Sequence, residues 1–148
     1  MLQLCVLLQI FCTFALTGLI WTIQWVHYPS FRFIRPEDFQ KFHTFHSASI
    51  STVVAPLMVI ELTTAALYCA FMPSTLNYVN FALVVAVWKV TAFVSVPLHH
   101  KLSKSYDVKV IEKLVKTNWI RTLLWTIKSL IWIYVLYHWE SLKTLPFE

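Results

Sequence analysis

Four apolar runs, at about 2–26, 44–71, 76–96 and 118–138, dominate this sequence and leave it few folds to choose from. Each can supply the roughly 20 residues that a helix needs to cross the hydrocarbon core of a bilayer. With 58% hydrophobic and only 13% charged residues in a 148-residue chain, the composition is that of a membrane protein and not of a soluble domain. The expected fold is all-α: a four-helix transmembrane bundle forming a single integral-membrane domain over residues 1–148.

The first run has no Lys or Arg before it and no small-residue cleavage site after it, so it reads as a retained span and not a secretory signal. Its end, expected near Val26, is marked by interfacial aromatics and by Pro29, which discourages helix continuation. The second helix is expected to start at Pro36 or Glu37, where proline and acidic groups suit a helix N-terminus, and to end near Met72 and Pro73. Pro56 is a candidate kink within it. Pro97 marks the expected end of the third run. Between Ser105 and Lys116, Tyr106, Val110, Ile111, Leu114 and Val115 recur at helical spacing opposite Lys109, Glu112, Lys113 and Lys116. This predicts a short amphipathic interfacial helix between spans three and four. Gly18, the single glycine, is a candidate close crossing. Cys5, Cys12 and Cys69 lie in apolar runs and read as small hydrophobes.

The net charge of +5 is unevenly placed. Arg32, Arg35, Lys41, Lys101, Lys104, Lys109, Lys113 and Lys116 fall in or beside the first and third connectors, whereas the opposite side carries only Lys143. Both basic connectors are therefore expected in the cytoplasm and both termini outside. Lysines beside apolar spans suit anionic lipid headgroups, and nucleic acid is not among the expected partners.

Counting about 1.5 Å of rise per residue sorts the remaining polar groups into two layers. His27, His43, His46, His99, His100, Asn118 and Arg121 fall near the cytoplasmic interface. His43 and His46 share a helix face, while His27 and His99 or His100 come from neighbouring spans. Three or four imidazoles can thus meet, with His27, His43, His46 and His99 as candidate metal ligands. Imidazole suits Fe, Cu and Zn, and it also serves heme as an axial ligand, so the cofactor class stays open between a transition metal and heme. Glu61, Lys89 and Lys128 fall near the bilayer centre, where an unpaired charge costs about 2.5–3.5 kcal/mol, so they are expected to face the interior with Glu61 paired to one lysine.

The segments WTIQWVHYP, FHTFHSASIS followed by Ala55-Pro56 and Glu61, VPLHHKL, and TNWIRTLLWT resemble a group of bacterial four-span membrane proteins of uncharacterised activity over most of the chain. More distantly, the stretch from Val96 to Thr122 resembles the anthrone-oxygenase-like membrane family. The resemblance implies that Pro97, Leu98, Asn118 and Arg121 belong to a shared framework. Where that family carries asparagine after Val-Pro-Leu, this chain has His99 and His100.

The leading functional expectation is an oxidoreductase embedded in the lipid bilayer and acting on a lipophilic small-molecule substrate. Glu61, Asn118 and Arg121 are its candidate catalytic residues, with Glu61 moving a proton and the other two orienting an oxygen-bearing group. The alternatives are a small proton or ion carrier or channel subunit, for which a bundle of this size needs a homo-oligomer, and a non-catalytic membrane accessory protein. One glycine excludes a nucleotide-binding glycine loop, and no zinc-finger cysteine spacing is present.

Overall fold

A computed structural model describes residues 2–138. The chain forms four long helical rods: α1 (Gln3–Phe33), α2 (Pro36–Phe71), α3 (Thr75–Leu102) and α4 (Val108–Tyr137), each long and apolar enough to cross a membrane. Among the described residues there is no strand, so the fold is an all-α four-helix bundle. Each rod packs on its neighbours in sequence, and α1 closes the ring against α4. Helices satisfy their own backbone polar groups, which is what an apolar environment demands.

Local chemistry sets the boundaries. Pro36 occupies the first turn of α2, followed by Glu37 and Asp38 where the helix dipole favours negative charge. The Ser74 hydroxyl accepts the Asn77 N–H at the start of α3. Asp107 accepts the Lys109 and Val110 N–H groups at 2.8 and 3.3 Å at the start of α4. The basic connectors lie at one end of the bundle, where Phe39 and Tyr106 rings meet at 5.0 Å. Lys143, counted on the other side, lies outside the described residues.

Three local expectations are corrected. Neither Pro29 nor Pro97 stops its helix, and α1 and α3 run on to Phe33 and Leu102. Each proline follows a π-helical turn, Ile23–His27 in α1 and Thr91–Ser95 in α3. There Tyr28 N–H bonds to the Ile23 carbonyl and Val96 N–H to the Thr91 carbonyl. The wide turn carries the rod past a residue that has no N–H to donate. The amphipathic stretch before span four is helical from Val108 but is not a separate element. It forms the first turns of α4, because nothing between Lys116 and Asn118 breaks the helix. Among the described residues nothing packs against Gly18, so none of the described helices crosses closely there.

The interior is layered. The larger apolar cluster, including Leu16, Ile20, Phe31, Phe39, Leu102, Leu114 and Trp125, fills the half nearer the basic connectors. Val6, Trp132 and Val135 form a smaller one toward the far end. Cys5, Cys12 and Cys69 are free and buried. The outer faces of the rods expose Leu7, Phe11, Val59, Phe71, Phe93, Leu123, Leu130 and Ile133, a surface suited to lipid.

Candidate functional site

Three helices bring four imidazoles together. The π turn of α1 ends at His27, α2 carries His43 and His46 one turn apart, and the last turns of α3 carry His99. Ring centroids lie 4.4 Å apart for His27–His46, 5.3 Å for His43–His99, 5.8 Å for His46–His99 and 6.3 Å for His43–His46. The nitrogens face one another in pairs: His27 Nε2 to His46 Nδ1 at 2.5 Å, and His43 Nε2 to His99 Nδ1 at 3.1 Å. His100 is exposed and stays outside the cluster.

The surroundings hold these rings in place. Phe31, fully buried, meets His46 edge-on at 5.1 Å and His27 at 5.5 Å, and Phe39 stacks on His43. The Tyr28 hydroxyl is 2.9 Å from His99 Nε2, which fixes that ring through the nitrogen turned away from the cluster. Arg121 is 5% exposed, donates to Asn118 Oδ1 at 3.3 Å and lies 5.2 Å from the centre of the Trp125 ring. Asn118 in turn donates to Gln24 Oε1 at 2.9 Å, and Gln24 donates to the Val115 carbonyl at 3.1 Å. Among the described residues no carboxylate pairs with Arg121.

Glu61 belongs to a different layer. Fifteen residues of α2 separate it from His46, about 22 Å at 1.5 Å per residue. Its carboxylate accepts from Thr13 at 3.0 Å, from the Trp125 indole at 3.2 Å, and from Lys128 in a fully buried ion pair. Beside it Thr64 donates to Gln9 Oε1 at 2.6 Å, and the Thr17 and Ser129 hydroxyls lie 2.7 Å apart. Lys128 is thus the lysine that pairs. Lys89, expected inside, is exposed on the outer face of α3, because the buried stripe of that helix runs through Asn80, Val84 and Val87.

Several polar atoms in this interior lack partners among the described residues, including His43 Nδ1, His46 Nε2 and Arg121 Nε. A buried unpaired polar group costs about 1–3 kcal/mol. Among the described residues no three His, Cys, Asp or Glu side chains are already disposed as a coordination shell. A cavity of about 270 Å³ opens beside the cluster between α1 and α2, walled by Leu19, Ile23, Phe42, Phe45 and Ile50, with His27 and His46 at one end.

Tyr28 and Gln24 are the site residues that sequence reasoning passed over, since both sit among interfacial aromatics at the end of an apolar run. A signal was present: Gln9, Thr13, Thr17 and Gln24 recur at spacings of four, four and seven in a largely apolar run, which places them on one face. No protein-family model, no curated protein and no solved structure matches this chain.

Proposed function

We propose that this chain is an integral-membrane oxidoreductase acting on a lipophilic small molecule, with a transition metal held by the histidine cluster. The observation that carries the reading is the meeting of four imidazoles from three helices, two of them with a nitrogen that has no partner among the described residues, near a buried arginine that has no acidic partner among them. His27, His43, His46 and His99 would hold the ion. The 3.1 Å between His43 Nε2 and His99 Nδ1 is near the separation of about 3.4 Å that two ligands at about 2.0–2.1 Å from a tetrahedral ion adopt, whereas His27 Nε2 and His46 Nδ1, 2.5 Å apart, would have to part by about 1 Å to share it. The rings pack too closely for a porphyrin to stand between them, which favours an ion over heme. When bound, a redox-active ion supplies a one-electron couple and a Lewis acid in a dry pocket.

The protein's own groups have distinct tasks in this reading. Tyr28 orients His99, as outer partners of metal-binding histidines commonly do. Arg121, held by Asn118 and Gln24, stabilises negative charge that develops on a substrate oxygen. Glu61, saturated by three donors in another layer, supports the bundle and is no longer the favoured proton carrier. The carrier alternative loses support as well, since Lys89 lies on the outer face, off any internal path. The positive-inside rule argues for cytoplasmic basic connectors and external termini.

Metal titration of gently solubilised protein, read by elemental analysis and visible absorption, tests the reading. Stoichiometric uptake is expected in the wild type, with a loss of more than tenfold in affinity in His43→Ala/His46→Ala at unchanged helical content. Equal uptake by both proteins, or none by either, overturns the ligand assignment.

A further inference from the structure

The outer face of α3 carries a charge that the bundle itself leaves unanswered. Lys89 is exposed, and among the described residues no carboxylate pairs with it. It sits at the midpoint of its rod, 14 residues from Thr75 and 13 from Leu102, about 21 and 20 Å at about 1.5 Å per residue. With α3 across a bilayer, Lys89 falls near the middle of a hydrocarbon core about 30 Å thick, where an unpaired charge is costly. A four-carbon stem is too short to lift the ammonium over the roughly 15 Å to either surface. The Cα–Cβ bond also tilts toward the helix N-terminus, which is the end away from the basic connectors. Ionisable side chains in membrane spans nearly always face a bundle interior, yet the interior carboxylate here, Glu61, is already closed off with Lys128.

The residues around Lys89 suit a neighbouring helix. Ala82, Ala86, Lys89 and Phe93 recur at spacings of four, three and four, which lines them up along one seam of the rod. Ala82 is exposed and Ala86 half-buried, and side chains this small let another backbone come close. Phe93, 78% exposed, stands one turn beyond the lysine and flanks the contact. A second copy of this chain offers no match for the charge. Of the described carboxylates, Glu61 is buried, and Glu37, Asp38, Asp107 and Glu112 lie at the basic end. We infer that the face of α3 around Lys89 is a docking surface for a transmembrane helix of another membrane protein, one that carries an aspartate or glutamate at mid-membrane depth to pair with the Lys89 ammonium. In that medium no water competes for the pair, so a single charge can select the partner. The surface uses none of the histidine cluster, and the inference stands apart from the oxidoreductase reading.

The full chain reconstituted in phosphatidylcholine vesicles tests this, with a synthetic Leu/Ala transmembrane helix bearing one glutamate at its midpoint as the probe. Association is read by resonance energy transfer from a dye on Ser103→Cys, in an exposed turn. The glutamate helix is expected to associate about fivefold or more above an otherwise identical helix with leucine at its midpoint. In Lys89→Met that advantage should vanish at unchanged helical content. Lys89→Glu should turn the preference toward a helix with lysine at its midpoint. Equal association of the glutamate and leucine helices with the wild type overturns the inference, and shows that lipid alone accommodates the ammonium. An advantage that survives Lys89→Met overturns it as well. Transfer between copies of the chain that Lys89→Met abolishes would make a second copy the occupant, which also sinks the proposal.

Discussion

Glu61 and Lys128 show how a single pair can be costly alone and harmless together. Both side chains are at most 1% exposed, and the carboxylate also serves as acceptor for Thr13 and Trp125. Removing one charge strands the other in a medium that penalises it, and breaking such a buried pair costs about 3–5 kcal/mol. Glu61→Gln and Lys128→Met should each lower unfolding free energy in mixed micelles by that amount. The double variant Glu61→Gln/Lys128→Met removes both charges, and the amide can keep its oxygen for the Trp125 indole while its NH2 donates to the Thr13 hydroxyl, so it should return to within about 1 kcal/mol of wild type. Additive losses would mean that the two residues act independently. The pairing was legible in the sequence, because only two lysines lie at the depth of Glu61. Which one pairs was not, since it depends on the rotation of α3, and a run of Val, Ala and Phe is apolar on every face.

Helix type and number follow from the apolar runs, but the helix ends and the site they carry depend on features that hydropathy does not register. A proline after an apolar run reads as a stop, yet at Pro29 and Pro97 the rods continue because a π turn precedes each one. Those turns deliver His27, Tyr28 and His99. The histidines could be read at the right depth from counting alone, whereas Tyr28 could not, because its inward direction comes from the wide turn. Pro29→Ala restores an N–H at that position and lets regular α-helical spacing compete with the wide turn. Thermal stability of this variant should stay within about 1 kcal/mol of wild type. Metal affinity should fall about tenfold as His27 and Tyr28 rotate, the size of effect seen when outer partners of metal ligands are lost. Unchanged affinity would show that the proline does not position the cluster.

At the scale of the whole molecule the basic connectors and the uncharged turn between α2 and α3 lie at opposite ends of the bundle, and this difference predicts an orientation in a membrane. One end gathers Arg32, Arg35, Lys41, Lys101, Lys104, Lys109, Lys113 and Lys116, while the turn between α2 and α3, from Met72 to Ser74, carries no charge. Short loops rich in Lys and Arg are retained in the cytoplasm during insertion, so the basic end should face inward and the histidine layer should lie on that side. Cysteine labelling can read this directly, because Cys5, Cys12 and Cys69 are buried and give little background. Ser74→Cys and Ser103→Cys sit on exposed turns at opposite ends. In intact cells a membrane-impermeant maleimide should modify Ser74→Cys at once and Ser103→Cys only after permeabilisation. Replacing Lys101, Lys104 and Lys109 together with glutamine should weaken the bias and let part of the Ser103→Cys population react from outside. The reverse labelling pattern in the charged protein would place the histidine cluster beneath the outer surface, and would mean that something other than loop charge orients this bundle.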